Sequence, residues 1–165
     1  LLYVGRIKVE KGIYFLLDIM KKTNDEITLT VVGAEKNLSQ IQKDIRWQFQ
    51  DNVNVYDIES NKKKLIKFYD DNNIFILPSF TEGHPMALLE ALARKRPVII
   101  FEEIKHIIGD KKGIFVSKRN YESFLENLKH IKKNYQKIQE DMKHNILPTN
   151  KDFIKSMENL ISNLN

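Results

Sequence analysis

The sequence predicts an α/β fold, a Rossmann-like doubly wound parallel sheet of about six strands with helices on both faces and a helical carboxyl-terminal tail. Short apolar runs alternate with helical patterns from one end of the chain to the other. Several of these runs are apolar on both faces, which is typical of buried parallel strands. The 165 residues, of which 42% are hydrophobic, suit one core, so residues 1–165 are predicted to form a single domain.

Each predicted strand is a short segment rich in β-branched or aromatic residues. In chain order the strands are Leu1–Val4, Ile27–Val32, Val53–Tyr56, Ile74–Leu77, Val98–Phe101 and Ile114–Val116. Each predicted helix repeats apolar residues at a spacing of three or four, or consists of strong helix formers. The helices are Gly12–Lys22, Leu38–Phe49, a lysine-led segment through Leu65–Tyr69, Met86–Arg94, Tyr121–Lys143 and, after a break at Pro148, Lys151–Leu164.

Composition and charge exclude or disfavour several classes of function. The chain has no Cys, which excludes disulfides and thiolate chemistry and agrees with a reducing cytoplasm. The four His show no metal-binding spacing, and no metal or cofactor is expected. No apolar run approaches the roughly 20 residues that span a bilayer. The net charge of +5 lies largely on Lys residues along helices, which favours solubility over attraction to nucleotide or anionic lipid.

Two other classes are disfavoured by missing motifs. No G-x-G-x-x-G follows the first strand, which argues against a nicotinamide enzyme. The basic residues lack interleaved exposed aromatics, which argues against nucleic acid as a partner.

The most informative stretch is LPSFTEGHPMALLE, residues 77–90. It begins at the end of a predicted strand, which Pro78 terminates. Pro85 suits the first position of the following helix, because its fixed φ is helical and its missing N–H is not needed there. The backbone amides at the start of that helix can bind phosphate or sugar hydroxyls, and they belong to the residues near His84, Met86 and Ala87.

Two carboxylates flank this helix entrance. Glu82 lies in the loop, and Glu90 lies five residues into the helix, roughly 7.5 Å along its axis. The pair can therefore hold the two ends of one elongated polar ligand whose middle is anionic.

Two further loops follow predicted strands and so lie at the same edge of the sheet. The first, Gly5–Gly12, carries Arg6 and Lys11, which could reach one diphosphate. From spacing alone, two solvated surface cations are at least as good an interpretation. The second ends a strand at Gly33, ahead of Glu35. A glycine there lets backbone approach a ligand, but a lone glycine at a strand end usually marks only a turn.

Three segments together resemble a known family. They are GRIKVEKG at residues 5–12, VVG at 31–33 and ILPSFTEGHPMALLEALARKRPVI at 76–99. Their order is similar to that in the carboxyl-terminal, donor-binding domain of GT-B type retaining glycosyltransferases, family 4 (glycosyl transferases group 1). The paired glutamates, with seven residues between them, are the most specific part of a resemblance that covers nearly the whole chain.

The resemblance implies roles for individual residues. Arg6 and Lys11 would hold the diphosphate of a nucleotide sugar and neutralise the departing charge. Glu90 would accept hydrogen bonds from the ribose, and Glu82 would face the sugar ring. The base would lie near Tyr56–Ile58. The implied catalytic residues are Glu82, Arg6 and Lys11, and the implied donor-binding residues are Gly5, Arg6, Lys11, Gly33, Ile58, Glu82, Gly83, His84, Pro85, Met86 and Glu90.

Some positions depart from the family pattern. Arg96 stands where the family commonly has Gly, and EEIKH at residues 102–106 replaces a Gly-Gly pair followed by Glu. Extra acid there would repel a diphosphate or change the sugar that is accepted. His84 replaces a commoner aromatic residue and is interpreted as an exposed loop imidazole rather than a general base.

The resemblance implies a hexosyltransferase that retains anomeric configuration and takes its sugar from a nucleotide-diphosphate donor. A glycan or lipid-linked acceptor would be held by an amino-terminal domain that this chain lacks. The Lys, Asn and Ile content suggests an AT-rich bacterial genome and hence a role in capsule, lipopolysaccharide or other surface polysaccharide synthesis. We expect a cytoplasmic protein, with peripheral membrane association in its full-length form, and a fragment inactive alone. The alternatives are a GT-B type sugar-nucleotide epimerase and a non-catalytic nucleotide-sugar or partner-binding module.

Overall fold

The computed structural model describes residues 1–23, 27–34, 51–149 and 151–152. Its strands are β1 Leu2–Val4, β2 Leu29–Ala34, β3 Val53–Asp57, β4 Phe75–Leu77, β5 Val98–Phe101 and β6 Ile114–Ser117. Its α-helices are α1 Ile13–Met20, α2 Lys62–Asp71, α3 Met86–Ala93 and α4 Tyr121–Met142, and there are 3-10 helices at Val9–Lys11 and Glu102–Ile107. The helix predicted over residues 38–49, Glu35, and residues 153–164 of the last predicted helix lie outside the described residues.

The six strands form one parallel sheet in the order β3-β2-β1-β4-β5-β6. Leu2 of β1 pairs with Thr30 of β2 on one side and with Phe75 of β4 on the other. From β1 the chain moves outward to β2 and β3, and from β4 it moves the opposite way to β5 and β6. The predicted doubly wound sheet is therefore confirmed, and its strand order reverses between β1 and β4.

Helices cover both faces of the sheet, as predicted. Because crossovers between parallel strands are right-handed, the strand order places α1 on one face and α2 and α3 on the other. On the first face, the Phe15 ring of α1 meets the Phe101 ring edge-on at 5.3 Å between centroids. The Tyr121 hydroxyl of α4 donates to the Lys22 carbonyl beside α1. On the opposite face, α2 and α3 are joined where the Tyr69 hydroxyl reaches the Ala87 carbonyl.

The core follows the central strands. Every residue of β4 and β5 is buried, because helices pack on both sides of these strands. Ser79 and Ser117 are buried polar residues. Ser79 is the second residue after β4, and Ser117 is the last residue of β6. The sheet edge where the strands end therefore combines a packed apolar base with polar groups.

Several element boundaries differ from the predictions by one or two residues, and some local features were not predicted. Helix α2 begins at Lys62 because Asn61 caps it, its Oδ1 accepting from the amides of Lys63 and Lys64. Pro85 occupies the N-cap of α3 rather than the first helical position. A 3-10 helix at Glu102–Ile107 follows β5, where no regular element was predicted. Asx caps are readable in sequence, whereas the 3-10 segment depends on contacts made elsewhere in the fold.

Candidate functional site

Two loops meet at the point where the strand order reverses. One follows β1 and spans residues 5–12, and the other follows β4 and spans residues 78–85. The Phe80 amide donates to the Glu10 carbonyl at 3.0 Å. Gly12 adopts a left-handed φ of 69°, and a Cβ there would lie 1.9 Å from the Pro78 carbonyl oxygen. The loops therefore touch backbone to backbone at the position where ligands bind in open α/β sheets.

An ion pair joins the two loops at their centre. The Lys11 Nζ donates to Glu82 Oε1 at 2.7 Å, and the Ser79 hydroxyl donates to the same oxygen at 2.7 Å. The side chains of Lys11 and Glu82 are only 24% and 11% exposed. A lysine ammonium carries three donors, so this contact leaves Lys11 capacity to bind an anion as well. The structure thus brings together two of the three predicted catalytic residues.

Arg6, the third predicted catalytic residue, is exposed at the beginning of the first loop. Beneath it, the hydroxyl of buried Tyr3 donates to the Arg6 carbonyl at 2.7 Å. Burial raises the pKa of Tyr3, and the charge of Glu82 raises it further. Tyr3 therefore remains a neutral donor that fixes the backbone at Arg6. The Arg6 guanidinium itself faces solvent.

The glycines at positions 5 and 33 explain how β1 and β2 can end side by side. The Gly5 amide donates to the Val32 carbonyl at 3.0 Å. A Cβ on Gly33, whose φ is 133°, would lie 2.1 Å from the Gly5 carbonyl oxygen. Gly33 lies within β2 and is thus more than a turn residue, since it permits close approach of the β2 backbone to the loop after β1.

The amino terminus of α3 opens onto the same crevice. Gly83, His84 and Met86 are exposed, and the cap residue Pro85 supplies no side-chain hydrogen bond. The first amides of a helix have no intrahelical acceptor and carry the positive end of its dipole. The arrangement can therefore receive an anion or hydroxyl, as the sequence predicted for this segment.

Glu90 is exposed and lies on α3, just over one helical turn after the helix begins at Met86. Its Oε2 accepts a 2.8 Å hydrogen bond from the Tyr69 hydroxyl of α2. Burial raises the pKa of Tyr69, and the Glu90 carboxylate raises it further. The buried phenol therefore stays protonated and orients Glu90, leaving other lone pairs of the carboxylate for a ligand.

Ile58 lies apart from this cluster. It follows β3, the outermost strand, and is 57% exposed. Nearby Tyr56 packs its ring against Phe68 with 4.9 Å between centroids. The predicted base-binding segment thus lies at the same sheet edge as the other loops, but at the end of the sheet.

Several residues around the site were not predicted to act there. They are Tyr3 and Tyr69, which hold Arg6 and Glu90, Ser79, which holds Glu82, and Arg119 beyond β6. Glu103 and His106 belong to a segment that was predicted to affect the donor, but their contacts with Arg119 and with the Glu82 carbonyl were not predicted. Ser79 was visible beside Pro78 in the motif. The others act through contacts between distant parts of the chain, which no local pattern indicates.

The acidic segment after β5 carries less free negative charge than its sequence predicts. Glu103 does not present an unpaired negative charge, because the Arg119 guanidinium binds both its oxygens, at 2.7 and 3.2 Å. Glu102 is exposed. Only part of the additional acid is therefore available to act on a diphosphate.

Metal-binding clusters and membrane-spanning helices are both absent from the described part of the chain. In residues 1–23, 27–34, 51–149 and 151–152, no three His, Cys, Asp or Glu side chains are grouped so as to hold a metal ion. Within the same residues, no helix combines the length and apolarity needed to cross a membrane.

Comparison with known proteins gave consistent matches. A family model described as "Glycosyl transferases group 1" matches residues 1–147. The capsular polysaccharide biosynthesis glycosyltransferase CapM of Staphylococcus aureus is 28% identical over 135 residues, which cover 78% of this chain and 35% of CapM. The chain thus spans about a third of the length of the curated relatives it matches.

Solved structures share the fold. Sucrose-phosphate synthase from Thermosynechococcus elongatus has a TM-score of 0.76 at 18% identity, covering 99% of this chain and 44% of the synthase chain. Anabaena HepE in complex with UDP-glucose has a TM-score of 0.65 at 16% identity, covering 86% of this chain and 41% of the HepE chain. The six-stranded sheet described above is the fold that these proteins have in common with the chain.

Proposed function

Because the chain belongs to the glycosyl transferases group 1 family, we propose that it is the donor-binding domain of a GT-B type retaining glycosyltransferase. The complete enzyme transfers a hexosyl group from a nucleotide-diphosphate sugar to a glycan or lipid-linked acceptor. The observation that carries this proposal is the Lys11–Glu82 pair, which lies where the strand order reverses and beside the amino terminus of α3.

The diphosphate binds between the first loop and the start of α3. Exposed Arg6 supplies a planar pair of donors, and Lys11 supplies a compact charge at the other end of the same loop. The amides at the start of α3 add donors of fixed orientation. These groups neutralise the charge that develops on the diphosphate as it leaves, so they act more strongly in the transition state than in the ground state.

The two glutamates bind opposite ends of the donor. Glu90, oriented by Tyr69, accepts hydrogen bonds from the ribose hydroxyls. Glu82, oriented by Ser79 and Lys11, faces the hydroxyls of the sugar ring. The base then extends toward Tyr56 and Ile58 at the end of the sheet. HepE, which has this fold, was solved in complex with UDP-glucose, and this supports a nucleotide-sugar ligand here.

The reaction retains configuration by attack on the face from which the diphosphate departs. The bond between the anomeric carbon and the diphosphate oxygen breaks, and a bond from that carbon to the acceptor oxygen forms. The acceptor hydroxyl gives its proton to the departing diphosphate oxygen. In this scheme Glu82 stabilises and orients the sugar and forms no covalent bond with it.

The acceptor is bound by a further domain of the longer enzyme, at the cytoplasmic face of the membrane. CapM is named for capsular polysaccharide biosynthesis, which supports a product of the same class, a cell-surface polysaccharide. The donor domain alone binds nucleotide sugar and transfers little.

Calorimetric titration tests the proposal. UDP, GDP, ADP and their common hexose conjugates are titrated into the chain, into Glu90→Ala and into Glu140→Ala. Glu140 is a matched control, an exposed carboxylate that pairs with Lys143 on α4. We expect one nucleotide series to bind, and Glu90→Ala to lose about tenfold or more in affinity, as loss of hydrogen bonds to a charged group implies. Binding by no member of the panel, or equal binding by both variants, contradicts the proposal.

A further inference from the structure

Arg119 lies between β6 and α4, remote in sequence from the candidate site, yet it binds the loop that carries Glu82. Its Nη1 donates to the Pro78 carbonyl at 2.9 Å, and its Nη2 donates to the Ser79 carbonyl at 3.3 Å. Pro78 and Ser79 are the first two residues after β4. One guanidinium thus fixes the backbone at the point where that loop leaves the sheet.

The same guanidinium is held from the other side by Glu103. Arg119 Nε donates to Glu103 Oε1 at 2.7 Å, and Nη2 donates to Oε2 at 3.2 Å. The hydrogen bonds from Arg119 keep the pKa of the Glu103 carboxyl below its usual range. Paired donors of this kind fix an angle as well as a distance, so the 3-10 helix that contains Glu103 is locked to the loop through Arg119.

Three aromatic rings surround the guanidinium. Its Cζ lies 4.0 Å from the ring centroid of Phe80, 4.6 Å from that of Phe101 and 5.1 Å from that of Phe15. The Arg119 side chain is only 16% exposed. Cation–π contacts at such a screened position are stronger than at the surface, and an arginine so enclosed has little freedom to leave.

His106 makes a second contact from the same 3-10 helix to the loop. Its Nε2 lies 2.9 Å from the Glu82 carbonyl oxygen. Because a carbonyl only accepts, Nε2 carries the proton and donates. The loop is therefore held at two points, by Arg119 at residues 78 and 79 and by His106 at residue 82.

Ser79 connects these backbone contacts to the Glu82 carboxylate. Its carbonyl accepts from Arg119, while its hydroxyl donates to Glu82 Oε1 at 2.7 Å. A shift of the Ser79 backbone would move that hydroxyl and, with it, the carboxylate. Glu103, through Arg119, and His106 thus connect the 3-10 helix after β5 to this loop.

We propose that Arg119, Glu103 and His106 form a clamp that positions the 78–82 loop, and through it Glu82, for the sugar portion of the donor. They are positioning residues and touch no donor atom. The inference that the clamp affects sugar binding rests on the proposed function. The inference that the clamp restrains the loop is independent of that function.

The test compares Arg119→Met with Arg94→Met. Arg94 is a matched control, because it binds both oxygens of Asp70 at 2.8 and 2.6 Å and lies on the α2–α3 side of the domain. Amide hydrogen exchange is measured without nucleotide over residues 79–84. Affinity is then measured for the nucleoside diphosphate that binds best and for its hexose conjugate.

In Arg119→Met, exchange at residues 79–84 should rise about tenfold, the loss expected for hydrogen bonds to a charged group. Affinity for the hexose conjugate should fall about tenfold, and affinity for the nucleoside diphosphate less than about twofold, because Arg6 and the α3 amides hold the diphosphate without Glu82, whereas the sugar contacts pass through Glu82. Arg94→Met should change none of these. Equal loss for both ligands would show general damage and would overturn the positioning role.

Two milder variants keep the inference testable if Arg119→Met does not fold. Glu103→Gln and His106→Ala each remove one part of the clamp, and each should raise exchange at residues 79–84 about threefold, as loss of a single ordinary hydrogen bond implies. Unchanged exchange in both overturns the clamp. If the unmodified chain binds no nucleotide, the proposed function fails, and the exchange measurements alone decide whether the clamp exists.

Discussion

Two regions of this domain are held together by polar side chains, and they differ in how the contacts are protected. In the crevice between β1 and β4, Lys11 and Glu82 are 24% and 11% exposed, and the loop backbones are in direct contact. On the α2–α3 side, Arg94 and Asp70 form an equally short pair but are 45% and 35% exposed. The two pairs contain similar chemical groups, but the Lys11–Glu82 pair is better screened from water than the Arg94–Asp70 pair.

The difference shows which contacts in this fold hold side chains in a single geometry. Exposed ion pairs contribute little because water and salt screen them. Partly buried pairs with further hydrogen bonds, such as the pair to Glu82, define a single geometry. The proposed function requires the Glu82 carboxylate to be aligned with a sugar, and a partly buried pair supplies that alignment. On the α2–α3 side, the buried Tyr69 hydroxyl orients the exposed Glu90 carboxylate.

The largest expected effect comes from breaking the backbone contact in the crevice. Gly12→Ala places a Cβ 1.9 Å from the Pro78 carbonyl oxygen at a residue whose φ is 69°. Both the clash and the left-handed backbone oppose any side chain there. We expect the free energy of unfolding to fall by about 3 kcal/mol, measured by urea denaturation.

Gly83→Ala is the matched control for this variant. A Cβ on Gly83 meets nothing within 4 Å, although the residue lies in the opposite loop of the same crevice. We expect a change within about 0.5 kcal/mol. Similar losses in the two variants would show that close loop contact is not what stabilises the crevice.

The next effect concerns the buried contact on the α2–α3 side. Burial raises the pKa of Tyr69 above its ordinary value of 10.0. Above that pH the unfolded chain releases the Tyr69 proton while the folded chain keeps it, so stability is present in full below pH 10 and declines as the pH rises. In Tyr69→Phe the slope of unfolding free energy against pH above 10 should be shallower by about 1.4 kcal/mol per pH unit.

Denaturation at a series of pH values up to 11 checks this slope. Glu90→Gln separates the two causes, because it removes the neighbouring charge and leaves Tyr69 buried. Since burial is the larger cause, most of the slope should persist in Glu90→Gln. An unchanged slope in Tyr69→Phe would contradict the account.

The strands of the sheet were predicted well because each strand is recognisable from the residues within it. A strand such as β5 is apolar on both faces, and this pattern identifies a buried parallel strand without knowledge of its neighbours. Arg6, Lys11 and Glu82 were predicted to share one edge, since the carboxyl ends of parallel strands meet there. That Lys11 pairs directly with Glu82, 71 residues away, depends on β1 and β4 being adjacent, which the sequence pattern does not determine.

Arg119 shows the same limit more strongly. Its partners lie on three separate segments, at Pro78, Ser79 and Glu103, and nothing around Arg119 distinguishes it from a solvated surface cation. The acid after β5 was predicted to act on a diphosphate because the resemblance places that loop near the donor, but Arg119 neutralises Glu103. Charge in a sequence predicts repulsion only when the fold does not supply a counter-charge.

The smallest expected effect is a difference in coupling energy between the two ion pairs. A double-mutant cycle with Lys11→Met and Glu82→Gln should give a coupling energy of about 1 kcal/mol, because the pair is screened from water and Ser79 orients it. The matching cycle with Arg94→Met and Asp70→Asn should give about 0.3 kcal/mol, the value typical of exposed pairs. Urea denaturation at 0.05 and 0.5 M salt, roughly a threefold change in Debye length, sharpens the contrast: the Arg94–Asp70 coupling should vanish at high salt while the Lys11–Glu82 coupling persists. A larger coupling for the exposed pair would show that geometry, rather than screening from water, separates the two regions.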